Sequence, residues 1–144
     1  MKLLKSIGLF FVLASVFISC SDEEPDTVGP EIQITNIIDN QEFKFGENLV
    51  MRFKFTDQTG MYEYKYELYA KDYTTKSYDY ENHIIYDTYF TERNDVQSIL
   101  LPEKTPTEIY QEGEYVIKVQ ASDVNQRIST YYKYINIYYP EVAE

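Results

Sequence analysis

From Pro30 onward, apolar residues recur at every second position far more often than at helical spacing, and clusters of turn-forming residues divide the runs. Glu31 to Ile38 reads as a first strand with Ile32 and Ile34 on one side. Asp39-Asn40-Gln41-Glu42 and Phe45-Gly46-Glu47-Asn48 mark turns on either side of a short bridge. Leu49, Met51, Phe53 and Phe55 then alternate with Val50, Arg52, Lys54 and Thr56, predicting a half-buried strand with the first set inward. After the corner Asp57-Gln58-Thr59-Gly60, the series Tyr62, Tyr64, Tyr66, Leu68, Ala70 predicts a second core strand. Lys71 to Asn82 is polar and rich in tyrosine, consistent with an edge strand or a long hairpin loop, and 83–90 and 96–101 read as two further strands. A long connection, 102–112, contains Pro106 and suits a crossing between two sheets. Tyr115, Ile117, Val119 and Ala121 form the next inward series, and after Asp123-Val124-Asn125-Gln126 a last strand covers 128–139. About seven short strands without helical periodicity predict an all-β chain folded as an antiparallel sandwich.

The amino-terminal segment has a different pattern. Lys2 and Lys5 precede an apolar run, 7–18, broken only by Gly8 and Ser15, the layout of a secretory signal rather than of a membrane span of about 20 residues. The run ends Phe17-Ile18-Ser19-Cys20, which resembles the lipobox of bacterial lipoproteins. That resemblance implies a diacylglyceryl group on the sulfur of Cys20, cleavage before it and a further acyl chain on the freed amine. One chain holds a protein to a bilayer only marginally, and a second makes the anchor stable. The resulting organisation is a signal over 1–19, an acylated cysteine and tether over 20–29, the sandwich over 30–140 and a tail over 141–144. In the tether, Asp22, Glu23 and Glu24 read physically as a solvated spacer. They also resemble the export signal that carries bacteroidete lipoproteins to the outer face of the outer membrane. Surface display is therefore expected ahead of attachment at the periplasmic face.

Charge and composition narrow the partners. With 24 acidic against 13 basic side chains and a net charge of -11, the chain repels phosphate backbones, so nucleic acid is excluded as a partner. A hydrophobic fraction of 44% supports a packed domain over disorder. The single cysteine precludes an internal disulfide framework, and one histidine leaves the common catalytic and metal chemistries short of bases and ligands.

The run Gly113-x-Tyr115-x-Ile117-x-Val119-x-Ala121-x-Asp123 resembles the penultimate strand of bacterial immunoglobulin-like and fibronectin-like domains. In those domains the tyrosine packs at a corner and the aspartate opens the next turn. With Pro30-Glu31-Ile32 and Ile99-Leu100-Leu101-Pro102, the chain from about Pro30 to Tyr139 is similar to an uncharacterised family of small bacteroidete lipoproteins with one such sandwich. The resemblance implies a fold and a location, not an activity. The Asp-x-x-Gly-Asn turn common in these domains stands here as Asp123-Val124-Asn125-Gln126, without its glycine.

Candidate chemistry is sparse. His83 has no nucleophile motif beside it and reads as a strand-edge histidine, so no enzyme is expected. Asp57 and Asp123 close alternate strands and could fall at the same end of a sandwich with Asp95 near them, a carboxylate set of the kind calcium takes. Without an Asp-x-Asp-x-Asp loop they read as turn caps, and neither cofactor nor metal is expected. The outstanding feature is 16 tyrosines with no tryptophan. Tyrosine pairs a broad apolar ring with a polar tip and serves both to cover a sheet and to make contacts. Tyr69, Tyr132, Tyr134 and Tyr138 fall on outward positions and are the candidate binding residues. The expected function is a membrane-anchored, noncatalytic binding module. Its partners are the membrane, through the lipidated amino terminus, and an outer-membrane or surface protein. The alternative is a glycan-binding lipoprotein whose tyrosines stack on sugars.

Overall fold

The structure, a computed structural model, describes residues 27–72 and 75–141 and contains no helix among them. Six strands form one continuous sheet: β1 (Glu31–Ile34), β2 (Gln41–Lys44), β3 (Asn48–Ala70), β4 (Tyr80–Leu100), β5 (Gly113–Asp123) and β6 (Ile128–Tyr138). The strand order is β1-β3-β5-β6-β2, with β4 on the other side of β3. All pairings are antiparallel except that of β2 with β6.

Two of these strands are far longer than alternation alone predicted. The segments read as 49–56 and 62–70 belong to one strand of 23 residues, and those read as 83–90 and 96–101 to one strand of 21, so six strands replace the expected seven or so. The reason is visible at the corner. Asp57 Oδ1 accepts hydrogen bonds from the N–H groups of Thr59 (2.9 Å) and Gly60 (2.7 Å), a side-chain turn that bends the chain without ending the ladder, because pairing with β4 resumes at Met61. Gly60 takes φ +100° there, a conformation that excludes most side chains. The register slips between Thr56 and Met61 and again between Met61 and Glu63. That slip switches the inward parity from Leu49, Met51, Phe53 and Phe55 to Tyr64, Tyr66, Leu68 and Ala70, so both halves of β3 face one core. Tyr62, expected inside, is displaced by Met61 and lies half-buried against Tyr89, with ring centroids 6.5 Å apart.

The first half of β3 pairs with β1 and with residues 92–100 of β4, and its second half with β5 and with the start of β4. The amino-terminal segment lies on both layers, β1 on β3 and β2 parallel on β6. These pairings follow the connectivity of an immunoglobulin-like sandwich, with two successive strands fused into β3. The connection 101–112 makes the expected crossing from β4 to β5. Tyr115, fully buried at the start of β5, donates its hydroxyl to Gln111 O at 2.7 Å, the corner-pinning bond such domains use. In the turn Asp123-Val124-Asn125-Gln126, Gln126 takes φ 63°, a left-handed residue without glycine's freedom.

The core consists of Ile32, Ile34, Ile37 and Phe45, the inward residues of β3, Ile99 and Leu101, and Tyr115, Ile117, Val119, Ala121, Ile135 and Ile137 from β5 and β6. Each large side chain removed from water here stabilises the fold by about 1.5–3 kcal/mol. Strand directions put residues 27–31, the Asp57 corner and the turn 124–127 at one end of the sandwich. The loops 71–79 and 101–112 and the exit of β6 lie at the other end. The amino-terminal connection thus leaves from the end opposite the longest loops.

Candidate functional site

Cys20, Asp22, Glu23 and Glu24 lie outside the described residues. The four tyrosines proposed from parity do not share one location. Register places Val116 of β5 directly between Tyr69 of β3 and Tyr134 of β6, and Lys118 between Glu67 and Tyr132. Tyr69, Tyr132 and Tyr134 therefore share the outer face of the β3-β5-β6 layer, with Tyr69 two strands, about 10 Å, from the other two. Val116 is buried beneath them at 4% exposure, while Tyr132 and Tyr134 keep 48% and 38% of their surface in solvent. Tyr138, equally exposed, is four residues further along β6 beside Lys44 of β2, beyond Asn136, and lies outside the cluster.

Paired charges border this face. Lys118 Nζ is 2.8 Å from Glu67 Oε2, and Lys65 Nζ bridges Glu67 (3.2 Å) and Glu81 (3.0 Å), making a row across β4, β3 and β5. Hydrogen bonding to Glu67 raises the pKa of Lys118, and the same bond holds the Glu67 carboxyl below its usual range. Lys71 pairs with Glu114, which raises its pKa, and its ammonium stands 5.3 Å from the centre of the Tyr134 ring. Burial, then the neighbouring Tyr132, raises the pKa of the Tyr69 hydroxyl, so it is a neutral donor at physiological pH. The cluster thus offers aromatic surface with donors at its tips, framed by charges that already have partners.

The other candidates resolve differently. Asp57 and Asp123 do meet, through Thr59 Oγ1, which lies 2.9 Å from Asp57 Oδ1 and 3.3 Å from Asp123 Oδ2. Asp57 Oδ1 and both oxygens of Asp123 are engaged by the turns. Asp123 Oδ1 accepts the N–H groups of Asn125 and Arg127 at 2.8 Å each, and its Oδ2 receives the Arg127 guanidinium at 2.6–2.7 Å. Asp95 belongs to a different cluster. Among the described residues no group of three or more His, Cys, Asp or Glu is placed to hold a metal ion. His83 Nε2 lies 3.0 Å from Glu63 Oε2 on the exposed side of the hairpin, where the pair has the character of a surface contact.

Sequence reasoning missed the polar network under β4. The hydroxyls of Tyr64 and Tyr86 both donate to Asp95 Oδ2, at 2.7 and 2.8 Å. Asn82 Nδ2 donates to the Tyr66 hydroxyl (3.2 Å), which donates to Gln97 Oε1 (3.3 Å). Burial works against ionised Asp95, but the bonds from Tyr64, Tyr86, Val96 N–H and Gln97 outweigh it and hold its carboxyl below the usual range. Burial and the bond to Asp95 push Tyr86 up to about 12 and raise Tyr64 further. The guanidinium of Arg93 lies over the Tyr86 and Phe90 rings, 4.9 and 4.8 Å from their centres. The signal was present: Arg93, Asp95 and Gln97 share inward parity with Ile99. Lys133 was missed likewise, an inward lysine of β6 whose Nζ lies 3.2 Å from Asp39 Oδ1.

No family model and no curated protein matches the chain. Among solved structures it is similar to the fibronectin(III)-like modules of CbhA from Clostridium thermocellum, with 15% sequence identity over 78% of this chain and 47% of that one, at a TM-score of 0.46. It is also similar to murine CRIg, with 6% identity over 78% of this chain and 98% of that one, at a TM-score of 0.43. The chain spans about half the length of the CbhA structure.

Proposed function

We propose that this chain is a noncatalytic binding module, anchored through acylated Cys20 to the outer membrane and displayed at the cell surface. It contacts a protein partner through the outer face of β3, β5 and β6. The observation that carries the reading is the placement of Tyr69, Tyr132 and Tyr134 around Val116 on one face, with the charges around them already paired. Aromatic rings with few rotatable bonds supply contact area at low entropic cost, and paired charges lose less on desolvation than lone ones. Asp22, Glu23 and Glu24 act in export as the lipoprotein resemblance implies. The departure of the amino terminus from one end of the sandwich lets a tether hold the module by that end, with the aromatic face along its side.

Three measurements test this. Mass spectrometry of the amino-terminal peptide should find acyl chains on Cys20; an unmodified thiol refutes the anchor. Affinity purification from solubilised cell envelopes should return a stoichiometric protein partner. Replacing both Tyr132 and Tyr134 by alanine should weaken that complex by about tenfold or more, near 1.4 kcal/mol per tenfold, with the β-sheet circular dichroism retained. Binding on a glycan array, with no protein partner, would transfer the face to sugar recognition instead.

A further inference from the structure

Among the described residues β4 pairs only with β3, so no strand is paired to the second edge of this 21-residue strand. An unpaired edge is a template for another strand, and proteins usually guard it with lysine, proline or bulges. β4 contains no lysine, proline or glycine. Its first half is guarded by a bulge, because the register opposes Met61 to Phe90 and Glu63 to Ile85, leaving Tyr86 to Tyr89 looped out against a single residue. The second half is not bulged. Its register is unbroken from Asn48 opposite Leu100 to Thr56 opposite Glu92. On its outer face Val96 and Leu100 are 58% and 65% exposed, beside Val50 of β3 at 37%. It carries two inward-pointing charges, Arg93 and Asp95, and two side-chain caps: Tyr78 donates its hydroxyl to Leu100 O at 3.4 Å, and Asp95 Oδ1 accepts the Val96 N–H at 2.8 Å. That N–H therefore faces the unpaired edge, and by the two-residue period of an antiparallel ladder so do those of Asn94 and Ser98.

We propose that residues 92–100 of β4 pair antiparallel with the same segment of a second copy, about a twofold axis at Val96. The segment is its own complement in this register. Val96 meets Val96, Asn94 meets Ser98 and Glu92 meets Leu100 on the outer face, while Asp95 meets Gln97 on the inner face. No like charges are opposed. Centres one residue away, on Asp95 or Gln97, would shorten the ladder to Glu92–Ser98 or Asn94–Leu100, the first also setting two carboxylates against each other, and centres on Asn94 or Ser98 would shorten it to Glu92–Val96 or Val96–Leu100. On pairing, the Val96 N–H exchanges the Asp95 cap for a backbone carbonyl, and the freed Asp95 oxygen comes within the row of the second copy's Gln97 amide. Self-complementarity selects a second copy over a foreign strand. The net charge of -11 on each chain opposes the association, so the dimer is weak at low ionic strength and tightens as salt screens that repulsion.

The test uses the purified mature chain, residues 20–144, carrying Cys20→Ser. Sedimentation should show a monomer–dimer equilibrium that strengthens between roughly 0.02 and 0.3 M salt. Val96→Lys, at an exposed position, should weaken it about tenfold or more without lowering the melting temperature. Val96→Cys should be linked into a dimer by a short bismaleimide, and Ile85→Cys, similarly exposed at 64% on the bulged half, should not. A chain that stays monomeric at about 1 mM in high salt overturns the proposal. So does a dimer indifferent to Val96→Lys, equal linking at Ile85, or a foreign strand that docks on residues 92–100 of a monomeric chain.

Discussion

β3 and β4 run side by side through both layers, turn the same corner and alternate in the same way, yet their inward faces differ in kind. The inward residues of β3 are almost fully buried: Phe53, Tyr64 and Tyr66 each keep 1% of their surface, and Leu49, Met51 and Phe55 keep none. On β4 only Ile99 among the inward residues is buried; Asn82, Ile84, Tyr86, Asp95 and Gln97 remain half-buried. β3 has neighbours on both edges and β4 on one. The interior of this sandwich is thus two environments. Where strands close in from both sides, hydrocarbon and ring surface is packed dry. Where the side is open, water reaches the interior, and the sequence meets it with rings whose polar tips are tied to Asp95 and Gln97.

The largest test of that contrast is a pair of truncations. Phe53→Ala should cost about 3–5 kcal/mol in urea unfolding, and Ile84→Ala, on the half-buried face, about 1 kcal/mol. Equal losses would abolish the distinction. Next, Asp95→Ala leaves the hydroxyls of Tyr64 and Tyr86 without their acceptor and should cost about 2–3 kcal/mol, with Asp95→Asn recovering part of the loss.

Thermal melts against pH sharpen the assignment to Asp95. Unfolded tyrosines ionise near pH 10, whereas folded Tyr86 is pushed up to about 12 and Tyr64 higher. The unfolded chain therefore binds fewer protons above about pH 10, and stability present below that pH should fall as pH rises toward 12. Asp95, depressed in the fold, acts in the opposite sense: its contribution is present above the unfolded carboxyl range and is lost as acid protonates it. Asp95→Asn should remove its own share of the acid limb and only lessen the alkaline one, because burial is the larger cause of the tyrosine shifts. The smallest effect is Asn82→Ala, which removes one half-exposed bond to the Tyr66 hydroxyl and should cost about 0.5–1.5 kcal/mol.

Much of the architecture was legible because its cause is local. Alternation in 49–55 and 115–121 names the inward residues, since the pleat has period two and one face meets the core. The Gly113 to Asp123 motif announces Tyr115, whose hydroxyl bond to Gln111 depends only on residues nearby in sequence. What stayed hidden depends on distant neighbours. Asp57 to Gly60 carries every mark of a chain-reversing turn, and only the ladder resuming with β4 makes it a bend within a strand. Tyr69, Tyr132 and Tyr134 were recognisable as outward, but their placement around Val116 is set by the β3-β5-β6 register, which also leaves Tyr138 apart. Asp95 shares its inward parity with ordinary core residues, and nothing in its local sequence identifies Tyr64 and Tyr86 as its donors.

A hairpin that serves both layers also bears on how the molecule comes apart. In a sandwich whose layers are joined by flexible loops, one layer can loosen while the other persists. Here the same two strands carry the hydrogen-bond ladder of each, so fraying either layer unzips a ladder the other shares. Amide exchange should accordingly find the most protected protons of Leu49–Phe55 and Tyr64–Ala70 released together, in a single cooperative unit rather than in two.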